Sequence, residues 1–282
     1  MKLTLLGTGG PLPDPGRHGS AALLEIGDTR LLFDTGRGVV LQLARAGIPI
    51  ERVGPIFLTH HHYDHIGDLA DVILTGWMQG RRQPLTVVGP PGTRAIVAAL
   101  LDQVYGADIG FRSQGALGIR WAPVETADVT SGLVHDGGHY RVFADVVVHG
   151  HGLDFPPAFT ARWVCLGYRV EAEGKVVTFS GDCVACEGLD RLARDADVLV
   201  QCCYLARAEI TTPAFVRLAR DTIACADTVG DIARRARVQR LVLTHFRPAA
   251  EATIQSIAAD VGRDYAGPVV VGRDLLAVSL SG

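Results

Sequence analysis

Thr59-His60-His61-His62-Tyr63-Asp64-His65-Ile66-Gly67-Asp68 is the stretch on which the reading of this chain turns. Four histidines and one aspartate fall between His60 and His65, directly after the apolar run Pro55-Ile56-Phe57-Leu58. Imidazole nitrogen and carboxylate oxygen are the donors that suit zinc and the neighbouring divalent metals. Read as His60-x-His62-x-Asp64-His65, the loop offers two spaced histidines to grip one ion and an Asp-His pair that can turn to a second. Folding alone calls for nothing of the kind. A polar loop is ordinarily built from Gly, Asn, Ser and Asp, and histidines crowd together where they bind metals or move protons.

Composition sets the outer bounds. The chain has 282 residues, a formal charge of −3 and 48% hydrophobic residues. That is enough to bury a sizeable core, here expected as one domain over 1–282. A charge so near neutral provides no chain-wide basic field, so neither tRNA nor any other nucleic acid is expected as a partner. The apolar part of Met1–Gly7 is too short for a secretory signal, and no apolar run is long enough to span a bilayer. A cytoplasmic protein without a membrane partner is the expectation. The cysteines, Cys165, Cys183, Cys186, Cys202, Cys203 and Cys225, are too few and too irregular for a disulfide framework. Cys183-x-x-Cys186 could form a redox pair or a thiolate set. The blander reading, that these are small buried hydrophobes, is preferred.

Short β-branched runs punctuated by Gly and Pro fill the first half. Strands are expected over Lys2–Leu6, Ala21–Ile26, Arg30–Phe33, Pro55–Leu58, Leu85–Val88 and Gly118–Val124. Helical spacing marks Gly38–Ala46, Gly67–Thr75 and a stretch from Thr93 to about Tyr105. Further strands are expected over Tyr140–Val148, Leu166–Val170 and Lys175–Phe179. The second half then alternates helices (Leu189–Arg194, Pro213–Arg220, Thr228–Arg237, Ala250–Val261) with strands (Asp197–Val200, Arg240–Thr244, Val269–Val271, Leu275–Val278). A strand-rich half followed by an alternating half fits an α+β, four-layer αββα sandwich. Ligands at strand ends from both halves would then meet along one edge, where loops carry chemistry.

The histidine motif resembles the signature of the metallo-β-lactamase superfamily of hydrolases, and further motifs follow in that family's order over nearly the whole chain. They are Leu5-Leu6-Gly7-Thr8-Gly9-Gly10, Leu31-Leu32-Phe33-Asp34-Thr35-Gly36, Ser180-Gly181-Asp182 after an apolar strand, and Leu241-Val242-Leu243-Thr244-His245. The resemblance implies the metallo-β-lactamase fold and a binuclear site. His60, His62 and His149 would bind one metal, Asp64, His65 and His245 the other, and Asp182 would bridge them. His149 ends a β-branched run, and His151, two residues on, is the alternative third ligand. Two Zn2+ are the implied cofactors, with Mn2+ or Fe compatible with the same donors. A hydroxide held between the ions would attack the ester, with Asp64 orienting it. Asp34 and Asp68 are candidates for fixing the ligand rings, or are plain turn aspartates.

Leu74-Thr75-Gly76-Trp77, Arg81-Arg82-x-Pro84-Leu85, Gly89-Pro90-Pro91-Gly92-Thr93 and Gly167-Tyr168-Arg169 are similar to the ribonuclease Z-like branch, and particularly to its arylsulfatase-like members. No Gly- and Lys-rich insertion supplies the substrate-gripping arm of the tRNA-processing members. Asp221-Thr222-Ile223-Ala224 resembles a motif that begins with a histidine serving the leaving group, yet Asp221 stands there and Ile223 offers no proton. Asp221 could act as a catalytic acid if burial raised its pKa. The resemblance and these departures together lead to the expectation of a small-molecule ester substrate. The reaction would be dizinc cleavage of sulfate or phosphate esters, aryl esters first. A carboxyl ester or lactone hydrolase and a non-catalytic metal-binding protein are the alternatives. Trp77, Phe155, Phe159, Trp163 and Tyr204 are candidates for an aryl pocket, or else core or dimer contacts. The family often forms homodimers.

Overall fold

Alternation of side chains along the strands explains the layering. In neighbouring strands Leu24, Leu31 and Phe33 point into one apolar core while Leu23 and Leu32 point into another. A strand buried on both faces needs a cover on each side, and here one face meets a second sheet and the other meets helices. The computed structural model describes residues 1–114 and 118–280. Among these, β1 (Lys2–Gly7), β2 (Ala21–Ile26), β3 (Thr29–Phe33), β4 (Ile56–Phe57), β5 (Leu85–Gly89) and β6 (Val124–Asp128) form the first sheet. The second contains β7 (Gly132–Asp136), β8 (Tyr140–Val147), β9 (Cys165–Ala172), β10 (Lys175–Phe179), β11 (Val198–Cys202), β12 (Leu241–Thr244) and β13 (Val269–Val271). The last strand, β14 (Ala277–Ser279), returns to the first sheet, giving the orders β14-β1-β2-β3-β4-β5-β6 and β13-β12-β11-β10-β9-β8-β7. Helices Val39–Arg45 and Leu69–Met78 cover the first sheet, and Glu187–Ala193, Val229–Arg235 and Glu251–Val261 cover the second. This is the αββα metallo-β-lactamase fold. No helix among the described residues is long and apolar enough to cross a membrane.

Strand direction decides where the chemistry falls. β3 runs parallel to β4, and β10, β11 and β12 run parallel to one another. β8 is antiparallel to β9, which is antiparallel to β10, so β8 shares the direction of β10. The C-terminal ends of β3, β4, β8, β10 and β12 therefore lead into Asp34, the histidine loop, His149, Asp182 and His245. Beneath them lies an aromatic cluster in the inter-sheet core. The Phe33 ring stacks on Phe179 at 3.8 Å and on Phe57 at 5.2 Å, and the Tyr168 hydroxyl donates to the Leu58 carbonyl at 2.7 Å.

Two expected elements differ and one observed strand was not expected. The strand expected over Gly118–Val124 lies instead at Val124–Asp128, where it pairs in parallel with β5. Residues 115–117, just before that expected strand, lie outside the described residues. Strand Gly132–Asp136 carries too exposed and polar a pattern to be read from sequence. The helix from Thr93 breaks into Thr93–Ala98, a wider π turn over Ala99–Val104, and a further helix Gly106–Ser113. Trp77 is a core residue, bonded through its indole to the Arg120 carbonyl and packed edge-on against Trp121, so it lines no pocket.

Phe33→Ala removes a ring buried between two others directly under the site. It is expected to lower unfolding stability by about 3–5 kcal/mol, read from chemical denaturation. A loss under about 1 kcal/mol would mean the cluster is loosely packed.

Candidate metal centre

The site is assembled from the strand ends, and three of its rings, His60, His65 and His149, are pinned through one nitrogen. Asp34 follows β3 with φ 58, a left-handed conformation that costs a non-glycine residue free energy and is tolerated best by Asp and Asn. The turn aims its carboxylate back under the histidine loop. Oδ1 accepts from the Thr59 amide at 2.8 Å, and Oδ2 accepts from the Thr59 hydroxyl at 2.9 Å and from His65 Nδ1 at 2.7 Å. Because Thr59 Oγ1 donates to Asp34, it accepts from His60 Nδ1 at 3.0 Å. His149 Nδ1 donates to the Thr222 carbonyl at 2.6 Å. In His60 and His149 Nδ1 thus carries the proton and Nε2 is left as a bare acceptor aimed inward, while His65 Nδ1 donates to Asp34 and its Nε2 faces Asp182 at 3.5 Å.

Those acceptors converge. His60 Nε2 lies 2.9 Å from His62 Nδ1, and His149 Nε2 lies 3.3 Å from the same atom. His245 Nε2 lies 3.1 Å from His65 Nε2, 3.3 Å from Asp64 Oδ2 and 3.2 Å from Asp182 Oδ2. Three overlapping groups each bring their ligand atoms within 4.8 Å of one another: His60, His62 and His149; His60, His65 and Asp182; and Asp64, His65 and His245. Lone pairs and carboxylates facing one another out of water repel unless a cation lies between them, so the donor set fits divalent metal. His/Asp donors in this arrangement form a divalent-metal site. His62 is the least buried of the set, while His60, Asp64, His65 and His245 are all but inaccessible.

The electrostatics point the same way. Burial, helped by His65, pushes the His60 imidazolium well below its ordinary pKa. Burial and His149 push His62 down to about 4, so both are neutral and able to ligate near pH 7. Burial alone would also discourage charge on His65 and His245, but Asp182 outweighs it and holds both above the ordinary value. The Asp182 carboxyl falls well below the usual range because His245 and His65 overcome its burial. Asp64 is likewise lowered against its burial, chiefly through its hydrogen bond to His245.

Other candidates take different places. His151 has both nitrogens committed within the loop, Nδ1 accepting from the His149 amide at 3.1 Å and Nε2 donating to the Trp163 carbonyl at 2.9 Å. His149, whose Nε2 joins the cluster, is the better-placed of the two. Asp68 accepts from the Gly38 amide at 2.6 Å and orients no ligand ring; His61 turns to Thr93. Asp221 lies apart from the cluster. Its carboxylate is forked onto Arg220 at 2.8 and 2.6 Å with Arg217 beyond, and the Arg220 bond holds its pKa below the ordinary value. That is opposite to the shift a carboxylic acid needs to donate a proton near neutrality. From that segment it is Ile223 that faces the site, in the wall of a cavity of about 240 Å³ shared with Leu218, Tyr204, His62 and Asp182. Cys183 is buried behind Asp182 and all six cysteines are free thiols, so Cys183-x-x-Cys186 forms no disulfide. Arg247 pairs with Glu209 at 2.5 Å. The orienting role of Thr59 escaped sequence reading, although its position just before His60 was a signal.

Comparison with known proteins bears on this arrangement. Residues 29–246 match the β-lactamase superfamily domain. The chain is 34% identical to "Ribonuclease Z" of Mycobacterium bovis (strain BCG / Pasteur 1173P2) over 291 aligned positions, covering 99% of this chain and 98% of the relative. It is 36% identical to "Ribonuclease Z" of Mycolicibacterium paratuberculosis, covering 99% and 98%. Among solved structures it superposes on the short form of human tRNase Z with TM-score 0.72 at 24% identity, covering 100% of each chain. These relatives overturn two expectations. Relatives named for a ribonuclease contradict both the small aryl sulfate or phosphate ester expected as substrate and the exclusion of nucleic acid, tRNA included, as a partner. The physical error lay in using net charge, which sums over the surface and says nothing about where the 27 basic side chains lie.

Asp34→Ala leaves every candidate ligand in place but frees the His65 and His60 rings. Affinity for Zn2+ is expected to fall about 10–100-fold, measured by competition with a chromophoric chelator. Unchanged affinity would show that the rings are held without it.

Proposed function

Since the chain belongs to the metallo-β-lactamase superfamily, in its ribonuclease Z-like branch, we propose that this metal-dependent hydrolase is an RNA phosphodiesterase whose substrate is tRNA. The observation that carries the reading is end-to-end identity of 34–36% with relatives named Ribonuclease Z. The ligand set agrees with it. His60, His62 and His149 would hold one cation and Asp64, His65 and His245 the other, with Asp182, grouped with His60 and His65, available to both. Zinc is the cation that best suits four-fold N/O coordination with this imidazole content. A tRNA substrate fits a cytoplasmic protein.

Divalent cations held there supply Lewis-acid polarisation of a phosphoryl oxygen and a nucleophile drawn from water at neutral pH. The chain's own groups do the rest. Asp64 and Asp182 keep their negative charge, so each can accept a hydrogen bond from the attacking water and orient it. Asp34, Thr59 and the Thr222 carbonyl fix ring orientation and so fix where the scissile phosphate sits. Ile223 and Leu218 make one wall of the cavity apolar and keep bulk water from the leaving oxygen. Ile223 brings no proton to that oxygen, so a leaving group that departs readily is favoured.

The test is incubation of the metal-loaded protein with a tRNA precursor extended at both ends. Specific removal of one extension, lost in Asp182→Asn, is expected; an intact precursor under conditions that cleave a simple phosphodiester would sink the reading. A second outcome follows from Ile223. Bis(p-nitrophenyl) phosphate should be cleaved faster than an otherwise equivalent dialkyl phosphodiester by a factor on the order of a hundred or more. Equal rates would mean a proton donor is present after all.

A further inference from the structure

A line of aromatic rings leads away from the metal cluster and is not used by the chemistry above. The Trp163 ring lies 4.8 Å from His62, Phe159 stacks on Trp163 at 5.7 Å and 17°, and Phe155 lies 4.9 Å from Phe159. The line begins at a candidate metal ligand and ends in solvent, with Phe159 39% and Phe155 42% exposed. The segment that carries it is held in place. Trp163 Nε1 donates to the His149 carbonyl at 2.8 Å, His151 bridges the His149 amide and the Trp163 carbonyl, and Pro157–Thr160 forms a helical turn. Rings held this firmly in water are a prepared surface rather than an exposed core residue.

The charge beside the rings indicates what they meet. The Arg162 guanidinium donates to the Ala158 carbonyl and makes no ion pair among the described residues. Arg217 and Arg220 flank Asp221, whose carbonyl accepts from the Gly150 amide at 3.0 Å where this loop begins. Flat apolar faces beside guanidinium groups are the combination that binds unpaired nucleotides, the rings taking bases and the cations taking phosphates. The β9–β10 hairpin is closed by the short turn at Glu173-Gly174, so it does not extend into an RNA-gripping arm. We propose that Phe155, Phe159 and Trp163 form a stacking platform for unpaired bases of the RNA strand whose phosphodiester lies at the metal cluster. The proposal rests on the RNA reading of the site.

The experiment compares metal-loaded wild type, Phe159→Ala, Phe155→Ala and Phe159→Tyr on a tRNA precursor with a single-stranded extension, and on the same precursor with abasic sites in that extension. Phe159→Ala is expected to raise KM roughly tenfold or more with kcat little changed. Phe159→Tyr should restore KM, and the abasic precursor should be insensitive to all three changes. A wild-type KM in both alanine variants, or an equal penalty on the abasic precursor, would overturn the platform while leaving the RNA reading standing. If wild type cleaves no precursor, the RNA reading fails, and the platform is judged by Trp fluorescence with single-stranded oligoadenylate. Saturable quenching weakened in Phe159→Ala supports it, and no quenching overturns it.

Discussion

Everything at the working edge of this molecule depends on acceptors being forced together out of water. Imidazole nitrogens and two carboxylates share a space from which solvent is largely excluded. Such a cluster is unfavourable by itself. It persists because the rings of His60, His65 and His149 are pinned through Nδ1, and because those pins are part of the backbone scaffold. Asp34 is the central one. Its left-handed turn, and that of His245 at φ 63, place strain where the site needs a particular direction of side chain. The stacked rings of Phe33, Phe57 and Phe179 lock the strand ends from which Asp34, the histidine loop and Asp182 emerge.

The same arrangement shows why a net charge of −3 does not exclude a polyanionic substrate such as the one proposed. Charge that matters to a phosphodiester is local. Divalent cations held by the donor set at the floor of the cavity would attract phosphate whatever the opposite side of the protein carries. Under the proposed reading, apolar Ile223 and Leu218 beside the cluster would bear on which leaving groups depart, and the aromatic rings on the neighbouring loop on which strands lie down there.

Much of this was legible in the sequence because it is written locally. His60 to His65 sit within one loop, and most of the strands that precede the ligands are short apolar runs buried on both faces. Spacing alone left His149 and His151 open, since what separates them is the Trp163 carbonyl, twelve residues away from His151 along the chain. Asp221 looked like a catalytic acid because the motif pointed at its position; the arginines that hold its charge lie on its own helix and could not be weighed without geometry. Trp77 looked like a pocket residue because aromatics serve cores and pockets equally well. Substrate was the least legible feature, because it depends on surface charge placed by the fold rather than on composition.

The central claim is that the fold builds two cation sites sharing one aspartate. Elemental analysis of wild type and His149→Ala, each dialysed against zinc at neutral pH, tests it most directly. The account predicts about two Zn2+ per chain in wild type and about one in the variant, because His149 belongs to one site only. A wild type holding no zinc, or a variant that still holds two, would contradict it.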